Sequence, residues 1–287
     1  MESVLITGAN GQLGAALRTV SDRFDGFEFY FTDVDALDIC DKSQVRDFMK
    51  SYRIDYVVNC AAYTAVDKAE DDEETCMRIN CDAVRNIGEL AASLGAGVIH
   101  ISTDYVFDGC AAHPYREDDI THPASVYGKA KLAGERALLS VCENSAIIRT
   151  AWLYSETGTN FVKTMLRLGT QRETLGVVAD QWGTPTYAGD LADVIKTVLT
   201  AESFRPGVYH YTNDGACTWY DFAVKIFELA GVKCEVNPLT TAEYPARAKR
   251  PAYSILDKSK IKETYGIQIF PWEDSLVRCL RNLKSEN

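Results

Sequence analysis

The chain has 287 residues, 46% hydrophobic and 25% charged, an ordinary globular mix that excludes disorder as its default state. A formal net charge of −11 excludes a surface built for nucleic acid or an anionic membrane, since both are themselves negative. A phosphate-bearing ligand would therefore need a site with its own local positive potential. Nine cysteines stand without a C-x-x-C pair and read as reduced filler rather than a disulfide framework. No basic leader precedes the first apolar run, and no run approaches the ~20 residues that cross a bilayer. The expectation is a cytoplasmic globular protein without a membrane partner.

Residues 3–7 (SVLIT) form a short apolar run ending in Gly8-Ala9-Asn10-Gly11, the pattern of a strand buried on both faces. Leu13, Ala16, Leu17 and Val20 then recur at helical spacing. Residues 27–31 give a second strand ending at Thr32-Asp33, and an amphipathic segment runs from Asp41 to about Tyr52. Residues 55–59 (DYVVN) predict a third strand and 72–94 a long helix. Residues 97–102 (GVIHIS) predict a fourth strand, 125–141 another helix, and 145–149 (SAIIR) a fifth strand. This alternation predicts repeated βαβ units, hence an α/β fold with a doubly wound parallel sheet of the Rossmann kind over residues 1–150. Beyond Arg149 the pattern is irregular, and six of the eight prolines fall there. Residues 151–287 are expected to build mainly a smaller substrate-binding cap, with helices over 219–229 and 272–283. The runs 175–179 and 208–211 are expected to return to the main sheet.

Gly8-x-x-Gly11-x-x-Gly14 lies between the first strand and the first helix. Glycines there allow a tight turn and a close backbone approach to a pyrophosphate seated on the helix N-terminus. Asp33, 19 residues beyond Gly14 at the end of the second strand, suits the adenosine ribose hydroxyls and would repel a 2′-phosphate. Tyr127-x-x-x-Lys131 puts a phenol and an ammonium one helical turn apart. A phenol with an ordinary pKa of ~10 is a reluctant acid, and a nearby ammonium together with the positive charge of a bound nicotinamide is expected to lower it. Residues 102–109 (STDYVFDG) open at the carboxyl end of the fourth strand, the edge where open α/β sheets bind ligands. A hydroxyl there can hydrogen-bond a substrate carbonyl beside Tyr127.

These strings, with residues 59–70 (NCAAYTAVDKAE), 127–135, 149–152 (RTAW), 160–165 (NFVKTM), 180–186 (DQWGTPT) and Arg250-Pro251, resemble the dTDP-4-dehydrorhamnose reductase family of extended short-chain dehydrogenases. The resemblance implies reduction of the C4 ketone of dTDP-4-dehydro-L-rhamnose by NADPH or NADH, for cell-surface polysaccharide. It implies a catalytic trio of Thr103, Tyr127 and Lys131, with Thr103, Asp104 and Trp152 touching the sugar nucleotide. Gly8, Gly11, Gln12, Leu13, Gly14, Asp33, Asp38, Ile39, Ala62, Tyr63 and Thr64 would line the dinucleotide, with Tyr127 and Lys131 at its nicotinamide end. Some relatives form a homodimer around magnesium held by glutamates. Ala16 and Gly189 occupy those places here, which argues against a metal-bridged form and leaves no metal ligand to name. Two other readings share the fold. A sugar-nucleotide dehydratase would carry an acid where Tyr105 follows Asp104, and a dinucleotide-binding regulatory subunit of methionine adenosyltransferase type would not need the intact trio.

Overall fold

Val4, Leu5 and Ile6 in β1 (Glu2–Thr7) are completely buried. Val4 and Ile6 join one hydrophobic cluster and Leu5 another, so alternating side chains feed two layers at once. In this computed structural model, which describes residues 1–285, β2 (Phe27–Phe31), β3 (Tyr56–Asn59), β4 (Gly97–Thr103) and β5 (Ser145–Thr150) follow β1. A sixth strand, Gly207–His210, completes one parallel sheet in the order Gly207–His210, β5, β4, β3, β1, β2. The chain steps from β1 to β2 on one side and then crosses to β3 on the other. That reversal opens a crevice at the carboxyl ends of β1 and β3.

Helices cover both faces. Leu17 of α1 (Gln12–Val20) packs into the first cluster, while Val45 and Met49 of α2 (Lys42–Ser51) pack into the second. After α3 (Val66–Ala69), the predicted helix over 72–94 is one continuous run with a defect. It comprises α4 (Glu73–Met77), a π-helical turn at Arg78–Asp82, and α5 (Ala83–Leu94). The turn swings Asn80 fully inward, a use of π-turns common near functional sites. α6 (Val126–Val141) starts where the Ser125 hydroxyl accepts the Gly128 N–H at 3.1 Å.

A third cluster holds α7 (Phe161–Gly169) and, beyond α8 (Ala188–Leu199), α9 (Trp219–Ala230). Beyond α10 (Ser259–Tyr265) it also takes in α11 (Trp272–Ser285). The run at 175–179 does not return to the main sheet. Strand Thr174–Val178 instead pairs in parallel with Glu235–Leu239 in a separate two-stranded ribbon. Thr174 and Gly176 are exposed while Leu175, Val177 and Val178 are buried in or beside the third cluster. One-sided burial of that kind satisfies a ribbon against helices, whereas a central parallel strand is buried on both faces. The stretch beyond residue 150 also serves the sheet layer. Leu191 and Ile195 of α8 and Ile261 of α10 pack into the first cluster.

Candidate active site

A cleft of about 940 Å³ runs along the carboxyl ends of β1, β3, β4 and β5. Its far wall comes from the segment after β5 and from α9, through Trp152, Asn160 and Trp219. At one end lies the glycine turn. Gly8 has φ +63°, and a Cβ there would come within 2.7 Å of Ala61 backbone atoms, so only glycine fits. Gly14 serves packing, because its Cβ would lie 2.5 Å from the Gly8 carbonyl oxygen. No side chain caps α1 at Gly11. The first N–H groups of α1, beside Gly11, Gln12 and Leu13 in the cleft wall, are therefore oriented for an anion. This cradle supplies the positive potential that an acidic chain otherwise lacks, and it fits a dinucleotide pyrophosphate.

Asp33 lines the cleft beyond the turn and ties it down, accepting Asn10 N–H at 2.9 Å and Val34 N–H at 2.8 Å. Asp38 and Ile39 line the same end, as do Ala62 and Thr64 after β3. Gly14 and Tyr63 stand outside the wall. Tyr63 is clamped from behind, its N–H donating to Asn80 Oδ1 and its carbonyl accepting from Asn80 Nδ2, both at 3.0 Å. Asn80 was not legible as a site residue, since only the π-turn aims it. Gln12 also crosses to the cap, accepting from Asn160 Nδ2 at 3.0 Å and Ser155 Oγ at 3.2 Å.

Thr103, Asp104, Tyr127 and Lys131 meet at the middle of the cleft, all nearly or fully buried. Thr103 Oγ1 donates to Asp104 Oδ1 at 3.0 Å and accepts Tyr105 N–H at 3.2 Å. The other Asp104 oxygen is buried and has no hydrogen-bond partner. Burial raises the Asp104 carboxyl to about 6, against the opposing hydrogen bond from Thr103. The expected lowering of Tyr127 by Lys131 does not occur. Burial drives the phenol well above its ordinary value. Lys131 Nζ instead donates to the Ile101 carbonyl at 2.7 Å, away from the phenol. Its own value falls to about 8, chiefly through burial. For a proton donor to a ketone this is serviceable, because Tyr127 stays protonated.

Ser102 turns away from the chemistry. Its hydroxyl donates to Glu135, which forms a buried two-pronged pair with Arg149 at 2.9 and 2.7 Å. That pair braces β4, β5 and α6 behind the site. Two strings distant in sequence also meet, since Arg250 grips Asp67 of α3 through two hydrogen bonds at 3.0 and 2.8 Å. This grip holds the Asp67 carboxyl near 2. Trp152 lines the cleft with φ +49° and stacks on Trp219 at 3.5 Å and 12°. Trp219 opens α9 behind its cap Thr218 and carried no sequence signal beyond helix start.

The family model described as RmlD substrate binding domain matches residues 1–285. A dTDP-4-dehydrorhamnose reductase of Aggregatibacter actinomycetemcomitans is 43% identical, with 99% of each chain covered. The crystal structure of a dTDP-4-dehydrorhamnose reductase from Clostridium acetobutylicum has a TM-score of 0.94 at 44% identity, covering 98% of this chain and 99% of that one. The Bacillus anthracis reductase, solved in complex with NADP, has a TM-score of 0.95 at 40% identity, again covering 98% and 99%. The chain belongs to the dTDP-4-dehydrorhamnose reductase family.

Proposed function

We propose that this chain reduces the C4 ketone of dTDP-4-dehydro-L-rhamnose to dTDP-L-rhamnose in the cytoplasm, for cell-surface polysaccharide, with NADPH or NADH. The observation that carries this reading is one cleft joining a glycine turn, an uncapped helix end and a buried Thr103–Tyr127–Lys131 set. A reduced nicotinamide, when bound, supplies the hydride. Gly8, Gly11, Gln12 and Leu13 form the pyrophosphate cradle, with Gly14 packed behind it, and Asp33, Asp38 and Ile39 flank the adenosine. Ala62 and Thr64 close the cradle after β3, with Tyr63 supporting them from outside the wall, and Lys131 holds the ribose next to the nicotinamide. Thr103 turns its hydroxyl from Asp104 to the ketone oxygen, and Tyr127 gives that oxygen its proton. Asp104 and Trp152 hold the sugar, and the stretch beyond residue 150 serves mainly as its cap. Purified protein given dTDP-4-dehydro-L-rhamnose should consume reduced-nicotinamide absorbance and yield dTDP-L-rhamnose. Oxidation of neither NADPH nor NADH would sink the reading.

Asp33 governs the choice of cofactor. Its carboxylate stands where a 2′-phosphate would add like charge, although the Bacillus anthracis relative was solved with NADP. Asp33→Asn keeps an oxygen for the turn and removes the charge. The ratio of kcat/KM for NADPH over NADH should rise about tenfold, from one like-charge contact near the surface. An unchanged ratio returns Asp33 to the role of turn anchor alone.

Asp104 trades stability for recognition. Its folded-state value, about 6, lies above the ordinary 3.8, so the folded protein holds an extra proton between those values. That contribution is complete below about pH 4 and is lost as pH rises through about 6. Asp104→Asn should therefore gain up to about 3 kcal/mol at neutral pH, from two units at about 1.4 kcal/mol each. It should also flatten stability between pH 4 and 6 and raise KM for the sugar nucleotide. Urea unfolding across that range checks it, and a variant less stable at pH 7 would refute it.

A further inference from the structure

The sheet register sets three polar residues side by side. Thr7 pairs with Asn59 across β1 and β3, and Asn59 with His100 across β3 and β4. Register partners in a parallel sheet share a face, here the one whose Leu5, Val57 and Val98 pack under α5 and α6. All three are fully buried, and none lines the cleft. Their polar atoms form a line ending on the lysine of the trio. Thr7 Oγ1 lies 2.6 Å from Asn59 Oδ1, Asn59 Nδ2 3.0 Å from His100 Nδ1, and His100 Nε2 3.3 Å from Lys131 Nζ.

The distances give this line a direction. A separation of 2.6 Å suits O–H···O and is short for N–H···O. Thr7 therefore donates to the Asn59 carbonyl, while its oxygen accepts Ala61 N–H at 3.4 Å. Asn59 then offers its NH₂ to His100, whose Nδ1 must accept. A neutral imidazole carries one donor and one acceptor, so the proton sits on Nε2 and faces Lys131. Burial, with Lys131 adding to it, keeps His100 neutral by holding its pKa well below the usual histidine range. An N–H aimed at an amine is a hydrogen bond, and aimed at an ammonium it is a repulsion.

We propose that Thr7, Asn59 and His100 form a directional hydrogen-bond chain whose terminal N–H faces Lys131, making His100 a positioning residue that eases proton release from that lysine. Glu135 on its own helix opposes this, as do Cys76 of α4 and Cys60 after β3 when ionised. Burial outweighs them, and the lysine sits near 8. The use is in resetting the site. Reduction leaves Tyr127 as a phenolate that regains its proton through solvent in the cleft, where the Lys131 ammonium is a nearby source that solvent then recharges. A lysine with its ordinary value would drive that return of the proton less strongly.

The test uses the full-length chain without added nucleotide. Imidazole nitrogen spectra, with His100→Gln to assign the signal, should show the Nε2–H tautomer. Side-chain carbon spectra, with Lys131→Met for assignment, should give a Lys131 midpoint near 8. In His100→Gln the amide can turn its oxygen to Lys131, so that midpoint should rise by about one unit or more. The alkaline limb of kcat should move up with it, which a merely structural role would not produce. Thr7→Val removes the donor that sets the direction and should raise the midpoint in the same sense, in case His100→Gln does not fold. An Nδ1–H tautomer, or a midpoint that fails to rise in the folded variants, overturns the assignment. Only the kinetic arm rests on the reductase reading. Inactivity towards the sugar nucleotide would count against that reading alone, because the spectra need no substrate.

Discussion

Tyr127→Phe should lose turnover by about 10²–10⁴-fold, the usual scale for a general acid, while keeping its fold and its affinity for dinucleotide. The ring is buried against Tyr105, edge-on at 5.6 Å, and phenylalanine preserves that packing. The change deletes only the buried phenol oxygen, and the Thr103 hydroxyl keeps its bond to Asp104. That should cost about 1 kcal/mol in stability. Because burial keeps the phenol protonated far into the alkaline range, Tyr127 should add no alkaline limb to the rate profile within the ordinary working range. Rates measured with saturating NADPH or NADH on a variant of native circular dichroism separate the chemistry from the fold. Turnover near that of the unmodified protein would remove Tyr127 from the role of donor.

The positions of the cleft and its trio could be read from the chain because local signals agree there. A strand buried on both faces must be continuously apolar, so residues 3–7 announce themselves, and the glycine turn can only follow such a strand. The S-T-D-Y string and the Tyr127–Lys131 pair each fall at the carboxyl edge for the same reason. What stayed hidden depends on register or on backbone geometry. In GVIHIS, His100 looks like any strand residue, and only the alignment of three strands sets it between Asn59 and Lys131. Asn80 needs a π-turn that no residue type signals. The run at 175–179 was misread because an apolar pentapeptide suits a ribbon under helices as well as a central strand. The effect of Lys131 on Tyr127 was misjudged because helical spacing fixes where side chains start, while Lys131 ends on the Ile101 carbonyl.

Trp152 should prove to be both a wall of the substrate site and a structural member, so its removal should cost in two measurements at once. Its indole lines the cleft, stacks on Trp219, and leaves no room for a side chain at Gly183, where a Cβ would lie 2.6 Å from the ring. Trp152→Ala should therefore lose about 3–5 kcal/mol, as large-to-small changes in packed sites do. It should also raise KM for the sugar nucleotide and spare dinucleotide affinity. The backbone supplies a sharper test. At φ +49° any side chain is strained, and glycine is not. Trp152→Gly removes the same ring and also releases that strain, about 1 kcal/mol or more. The glycine variant should then be the more stable of the two, the reverse of the usual order, with equal loss of sugar-nucleotide affinity. Both should lose the near-ultraviolet circular dichroism of two stacked indoles. Urea unfolding of the pair decides the matter. An alanine variant as stable as the glycine one would mean the left-handed backbone stores nothing, and an unchanged KM in both would move the sugar away from Trp152.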